Sequence, residues 1–561
     1  MQYRGQEPGS KRDHILTRWS ALKAERSSWY THWREISDYL LPRSGRFFVS
    51  DRNKGTRRHN NIYDSTGTRS LRVLAAGMMA GMTSPARPWF RLSTSNPDLD
   101  ESAPVKQWLS DVTRMMLMVF SRGNTYRSLH SMYEELGGFG TGASLVMPDF
   151  KSVIHHSTLT TGEYAIATNY RGQVDTIYRE FDKTVAELVG EFGLEKCSKQ
   201  VQNMYSSNNL DAWVTVIHAI EPRKERDTTK RDNLNMPFKS CYFEAGSNEN
   251  TYLRESGFKT FRAVVPRWAT AGGDIYGNSP GMEALGDIKQ LQHEQLRKAQ
   301  TIDYQTNPPL QVPTSMKNRD IQRLPGGVSY VDSNNPQGGI RSAFDVNLRL
   351  DYLLEDIRDV RERIRGSFYA DLFLMLANNV NTNMTATEVA ERHEEKLLML
   401  GPVLERLHNE LLDPLIEMTF EQMLEAGIVP PPPEELQGVE LNVEFVSMLA
   451  QAQRAVATNS IDRFVNNLGS VAAIKPDVLD KFDADSWADA YSDMLGVDPE
   501  LIVPGEQVAL IRKSRAEAAQ AQQQMQMVQQ GADTARNLAA AKTGEDNALT
   551  NVMDMFTGYN T

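Results

Sequence analysis

Chemistry would be sought first in a glycine run, a histidine pair and a histidine followed by two glutamates. Gly137-Gly138-Phe139-Gly140-Thr141-Gly142 offers the glycines of a phosphate loop, but no Lys-Ser or Lys-Thr follows at the required spacing. The residues after it, Ala143-Ser144-Leu145-Val146-Met147, read as a strand, so the run is a helix-to-strand turn. His155 and His156 are neighbours in a strand-like segment and point to opposite faces, which suits a structural use better than a shared metal. His393-Glu394-Glu395 lacks the second histidine of a zinc helix. There is no Cys-x-x-Cys, no nucleophile elbow and no Walker sequence. Carboxylates are plentiful, yet nothing pairs two of them in a cleft. The expectation is a non-enzyme with no metal and no cofactor. Two other sets stand out: the uncharged loop Asn378-Asn379-Val380-Asn381-Thr382-Asn383-Met384, and the cations Lys317, Arg319, Arg323 and Arg341 in a compact segment before it.

Long helices must position both sets. Ser279-Pro280 is a helix start, with an oxygen-bearing N-cap and a proline at the first helical position. Met282, Leu285, Ile288, Leu291, Leu296 and Ala299 then recur at helical steps until Asn307-Pro308-Pro309. After a compact insertion a second helix carries the stripe Leu350, Leu353, Ile357, Val360, Ile364, Phe368 and Leu372. Asp359/Arg363 and Arg358/Glu362 form i,i+4 pairs on its wet side. Thr385 and Glu388 form a capping box, opening a third helix that runs to about Ala426 with a break expected at Gly401-Pro402.

Each seam is narrow, as in helices that pack side by side in a closed ring of subunits. At roughly 10 Å spacing, six such helices leave a bore of about 9 Å and twelve leave roughly 28 Å, enough for a DNA duplex. Geometry alone does not choose twelve.

At 561 residues the chain needs several cores. Hydrophobic residues at 40% and charged ones at 24% are ordinary for a water-soluble chain. No run of about 18 apolar residues occurs, so no membrane insertion is expected. Cys197 and Cys241 alone argue for a reducing compartment. A net charge of −11 is unusual for a protein that grips nucleic acid, though not for one that surrounds it without holding it.

In chain order, residues 9–41 read as a helix burying Ile15, Leu16, Trp19, Leu22, Trp29, Trp33, Ile36 and Leu40. Residues 43–60 are basic and irregular. Helices follow near 63–82, 104–122 and 125–137, and Ala75-Ala76-Gly77 allow close backbone approach. Strands are expected at Tyr164–Thr168, Val174–Glu180, Ala212–Ile220, Phe238–Glu244 and Phe258–Val265, with a helix near Val185–Phe192.

Several stretches resemble podovirus-type head-to-tail connector (phage portal) proteins. They are Gly162–Ala167, Val174–Phe181 with Leu188–Gly193, Val264–Trp268, Tyr276–Met282 with Leu285–Lys289, and Met384–Val389, in order across residues 10–430. The resemblance implies an α+β portal-type fold with a mixed α/β wing, two-helix stem, small α/β clip, long kinked helix and helical crown. Its parts map as wing 1–278, stem helix one 279–304, clip 305–345, stem helix two 346–373 and tunnel loop 374–385. The long kinked helix and a return strand to the wing sheet take 386–446. Crown 447–504, with helices 447–467 and 484–495, precedes a C-terminal helix 505–541 rich in Ala and Gln, either frayed or a barrel stave. Residues 542–561 are expected to be disordered.

The resemblance further implies a homo-oligomeric ring, usually of 12 subunits, at one capsid vertex of the virion, assembled in the host cytoplasm. Its implied partners are double-stranded DNA read without sequence preference, a packaging ATPase (terminase), tail adaptor proteins, and capsid and scaffolding proteins. A phosphate-gripping cation repeated around a ring would arrest a sliding duplex. Asn378, Asn379, Asn381 and Asn383 instead offer weak, exchangeable hydrogen bonds. Lys317, Arg319, Arg323 and Arg341 either dock acidic patches on a partner or are solvated charges. Arg361, Arg363 and Arg365 either face the channel or, the reading preferred, pair between subunits with Glu355 or Asp356. Leu285, Ile288, Leu350, Leu353, Ile357, Val360 and Ile364 are the stem-packing positions. The competing readings are a tail ring adaptor and a packaging-associated nuclease or hydrolase.

Overall fold

A computed structural model describes residues 11–47, 61–100, 102–230, 232–247, 252–312, 314, 317, 340–342, 351–377, 399–436, 438–439, 441–447, 464–472, 475–488, 503 and 505–540. They belong to two units, Met1–Val456 and Ala457–Thr561. In the first, α1 (Lys11–Tyr39) follows its apolar spacing. Ile15, Trp19, Leu22, Trp33, Ile36 and, just past its end, Leu40 are buried, while Leu16 and Trp29 are half-buried. Next come α2 (Thr66–Met82), β1 (Phe90–Thr94), α3 (Pro97–Asp100), α4 (Ala103–Arg122) and α5 (Thr125–Phe139). The Phe373 ring lies 2.2 Å from where a Cβ on Gly77 of α2 would stand, so only glycine admits it.

α5 ends in Gly140 at φ +79, whose Cβ would meet the Gly277 carbonyl oxygen at 2.1 Å. Any side chain there would force these two segments apart. The glycine run is thus a helix-to-strand turn into β2 (Ala143–Asp149), which pairs with β3 (Val153–Leu159). His156 on β3 is buried and His155 exposed, on opposite faces as alternation requires.

An antiparallel meander follows: β4 (Tyr164–Thr168), β5 (Val174–Thr184), β6 (Trp213–Pro222), β7 (Phe238–Glu244) and β8 (Arg254–Phe258). The β5–β6 link carries α6 (Val185–Phe192), with a Thr184/Glu187 capping box, and α7 (Lys199–Ser206). The single strand expected at Phe258–Val265 is two strands. β8 stops at Phe258, and β9 (Ala263–Val264) pairs with β2 in another sheet. Between them the chain turns, and Lys259 and Arg262 reach Glu425 and Glu421, each at 2.8 Å.

Then come α8 (Pro280–Glu283), α9 (Leu285–Thr306), β10 (Leu310–Gln311), β11 (Arg341–Ser342), α10 (Asp351–Ser367) and α11 (Ala370–Ala377). The second long helix is therefore not continuous through 373, because the chain breaks at Phe368-Tyr369, with Tyr369 at φ +52. A straight helix would set Phe368 and Phe373 about 140° apart; the break buries both.

α12 (399–407) passes through Gly401-Pro402 without interruption, contrary to expectation. The irregularity is a π turn at His408–Leu412, ahead of α13 (Asp413–Glu425). Pro414 lacks the N–H that residue 410 would accept and crowds that carbonyl, and the wide turn relieves both. β12 (Leu441–Phe445) returns to the N-terminal half, but as a two-stranded ribbon with β1 and not as an edge of the meander.

The second unit holds α14 (464–472), α15 (484–488) and α16 (Gly505–Ala540). Of the helix expected at 447–467, residues 448–463 lie outside the described residues, and the helix that includes 464–467 runs on to 472. Phe464, Phe482 and Trp487 form a ring cluster, and Arg512 of α16 pairs with Asp485 at 2.6 Å. Leu510, Ile511, Met525 and Met527 of α16 are exposed.

Candidate functional site

The site is the hairpin of α8–α9 and α10, with the β10–β11 ribbon beyond it. Ser279 starts it as an N-cap, its hydroxyl accepting from Met282 N at 3.0 Å and donating to the Gly138 carbonyl at 2.7 Å. The hairpin is thereby fastened to the end of α5. Leu285, Ile288 and Leu291 on α9 and Ile357, Val360 and Ile364 on α10 are buried in the main core, and Leu353 is half-buried. Helix α10 packs on both α9 and α2. This corrects the expectation that these seams await sibling copies: at the hairpin's root the same chain covers them, chiefly through α2.

A polar clamp lies beside that core. Asp64 Oδ1 accepts from Thr66 N at 2.8 Å and Thr66 Oγ1 at 2.6 Å. Its Oδ2 accepts from Arg361 Nη2 at 2.7 Å, Arg361 Nε at 3.1 Å and Gln295 Nε2 at 3.1 Å. Gln292 closes the clamp, accepting from Tyr63 N at 2.7 Å and Asp64 N at 2.8 Å and donating to the Asp64 carbonyl at 3.0 Å. Burial would raise the Asp64 carboxyl, but the Thr66 and Arg361 hydrogen bonds outweigh it and hold the group below its ordinary value. Arg361 and Arg363, expected to pair with Glu355 or Asp356 between copies, have acidic partners within this chain. Arg361 binds Asp64, and Arg363 lies 3.5 Å from Asp287 and 3.6 Å from Asp359. Arg365 is exposed.

The outer half differs. Ile302 and Tyr304 on α9 and Tyr352 and Leu354 on α10 are exposed, Tyr352 at 73%. Beyond them β10 and β11 pair antiparallel, with Leu310 opposite Ser342 and Gln311 opposite Arg341. Lys317 is exposed in a turn. Arg319, Arg323, Leu350, the capping box Thr385/Glu388 and the four asparagines Asn378, Asn379, Asn381 and Asn383 lie outside the described residues.

A second anchorage was invisible in the sequence. Glu410, inside the π turn, accepts from Arg267 at Nη2 (2.6 Å), Nε (3.2 Å) and backbone N (2.9 Å). Arg406 adds a contact at 3.3 Å, and Arg267 also donates to the Gly172 carbonyl at 2.8 Å. His408, in the same turn, stacks on Phe445 with centroids 4.1 Å apart, and burial lowers its pKa to about 4. The α12–α13 rod is thus tied to the sheets at Glu410, Glu421 and Glu425. Partners 143 residues apart leave no local spacing to read.

Among the described residues no group of three or more His, Cys, Asp or Glu could hold a metal. No described helix is long and apolar enough to cross a membrane. The site is an anchored, rigid-rooted hairpin with a greasy outer surface. Over residues 12–503 the chain matches the bacteriophage head to tail connecting proteins, and it belongs to that family. Among its relatives is the "Probable portal protein" of Bordetella phage BPP-1, 69% identical over 550 residues, 98% of this chain and 99% of the relative. The "Portal protein" of Salmonella phage epsilon15 is 46% identical, covering 96% of this chain and 98% of the relative. A chain from a native gene transfer agent particle aligns over 83% of this chain and 99% of its own at 10% identity, with a TM-score of 0.33. That likeness is too slight to carry an argument.

Proposed function

We infer that this chain is a portal subunit of a phage virion: copies close into a ring at one capsid vertex, and the genome enters and leaves through it. The observation that carries this is the 69% identity, over nearly the whole of both chains, to a protein named as a probable portal. In this reading α9 and α10 are the stem, the β10–β11 ribbon and its insertion are the clip, and residues 378–385 form the tunnel loop, a shorter one than the expected 374–385 because α11 runs to Ala377. Ile302, Tyr304, Tyr352 and Leu354 supply the apolar contact to the next copy. Lys317, Arg319, Arg323 and Arg341 face the packaging ATPase and then a tail adaptor. Asn378, Asn379, Asn381 and Asn383 touch DNA through neutral amides, which bind phosphate without releasing counterions and so let the duplex slide. The role is structural, and twelve copies, the number usual in the family, would leave room for a duplex. Electron-microscope images of the purified protein test the reading. Annular particles with a central hole are expected; a monomer at every concentration overturns it.

A further inference from the structure

The two ends of α4 lie beside surfaces of opposite chemistry. At its N-terminal end runs Pro430-Pro431-Pro432-Pro433, followed by Glu434 and Glu435. Each proline fixes its own φ and bars the α region to the residue before it, so Val429 to Pro432 are held extended. The Pro430 carbonyl accepts from Trp108 Nε1 at 3.0 Å, Ser102 Oγ donates to Glu435 Oε2 at 2.7 Å, and Leu436 is buried. Pro431, Pro432 and Glu434 are exposed, and Glu434 has no cationic partner among the described residues. The result is a stiff ledge, tied down at both ends. At the C-terminal end of α4 stands the β2–β3 turn. Gly123 caps the helix, and a Cβ on it would lie 3.5 Å from the Ile154 carbonyl oxygen. Asn124 donates to the His156 carbonyl at 2.8 Å and accepts from its N–H at 2.9 Å. Within the turn, Asp149 Oδ2 accepts from Ser152 N at 2.8 Å and Lys151 N at 3.2 Å, which fixes the backbone under Phe150. Phe150 is fully exposed. Lys151, Arg122 and Arg127 are exposed too, with no acidic partner among the described residues. From Trp108 to Arg122 the helix rises roughly 21 Å, so this tip cannot fold back onto the ledge of its own chain.

We propose that adjoining copies meet head to tail through these two surfaces: Phe150 lies on the partner subunit's Pro431 and Pro432, and Lys151 pairs with the partner subunit's Glu434. An extended proline run is a good seat for an aromatic ring, because it gives up little conformational entropy on binding. The charges complement each other, a cationic tip against an anionic ledge. Tip and ledge are different patches, so each copy offers one to the neighbour on either side, the heterologous arrangement from which rings are built. The contact rests on the reading of the chain as a ring subunit, and adds a second junction to that of the α9–α10 hairpin.

Phe150→Cys with Pro432→Cys in one full-length chain, oxidised after assembly, tests it. Both positions are exposed, and the native Cys197 and Cys241 are buried. A ladder of bands above the dimer is expected on a non-reducing gel, and none from either single variant. Lys151→Glu and Glu434→Lys should each raise the protein concentration needed for assembly by about tenfold, since each sets like charges face to face at every junction. The two together should restore assembly. Annular particles of the wild-type chain without a ladder from the double-cysteine chain, or charge-reversed variants that assemble as the wild type does, overturn the contact and leave the ring reading standing. A band that stops at the dimer also overturns it, because the junction would then join like patches. A wild-type chain that never forms rings sinks the ring reading itself, and the contact with it.

Discussion

The two halves of one hairpin are finished differently. At the root, Leu285, Ile288, Ile357, Val360 and Ile364 are buried and Asp64 grips Arg361, so a single chain completes the packing. In the outer half, Ile302, Tyr304, Tyr352 and Leu354 face water. In the proposed ring, folding and assembly would thus draw on separate sets of residues: one chain completes the root, and a second copy would cover the outer half.

The largest effect should come from the root. Ile364→Ala should cost about 2–5 kcal/mol of unfolding free energy through the cavity it leaves, read by denaturant titration of the chain. An unchanged midpoint would mean that the root is not its own core. Arg361→Ala should cost less, about 1–2 kcal/mol, since Arg361 is partly exposed and Asp64 keeps Thr66 and Gln295. Tyr304→Ala with Tyr352→Ala should move the chain's own stability by no more than about 0.5 kcal/mol and yet lower the assembled fraction in sedimentation. Loss of fold instead of assembly would erase the distinction between the halves. Least of all should stability respond to Asn379→Lys with Asn381→Lys. There the expected change is slower DNA translocation that recovers at higher salt, and equal rates at low salt would remove the sliding argument.

Local periodicity made much of this legible. The α1 stripe, the strands Tyr164–Thr168 and Phe238–Glu244 and the helix Val185–Phe192 stand where their patterns put them, because each depends on neighbours within a few residues. The break at Phe368-Tyr369 was hidden because a continuous apolar stripe fits a straight rod equally well. The division of Phe258–Val265 was hidden because Arg262 and Lys259 serve partners about 160 residues away. The same holds for the clamp on Asp64, whose Gln292 and Arg361 look like ordinary wet-side residues until α2 is laid beside them. The seams read as contacts between copies are covered at the root by this same chain: such a stripe shows that something covers it, not which chain supplies the cover.

The π turn at His408–Leu412 amounts to one surplus residue spliced into a rod. Everything upstream is swivelled by about 100° relative to an uninterrupted spiral, so no single helical wheel describes 399–425. Excising one amino acid there would leave α13 moored at Glu421 and Glu425 and swing the face of α12 a quarter-turn or more, a way to re-aim whatever that rod carries while α13 keeps its hold on Lys259 and Arg262.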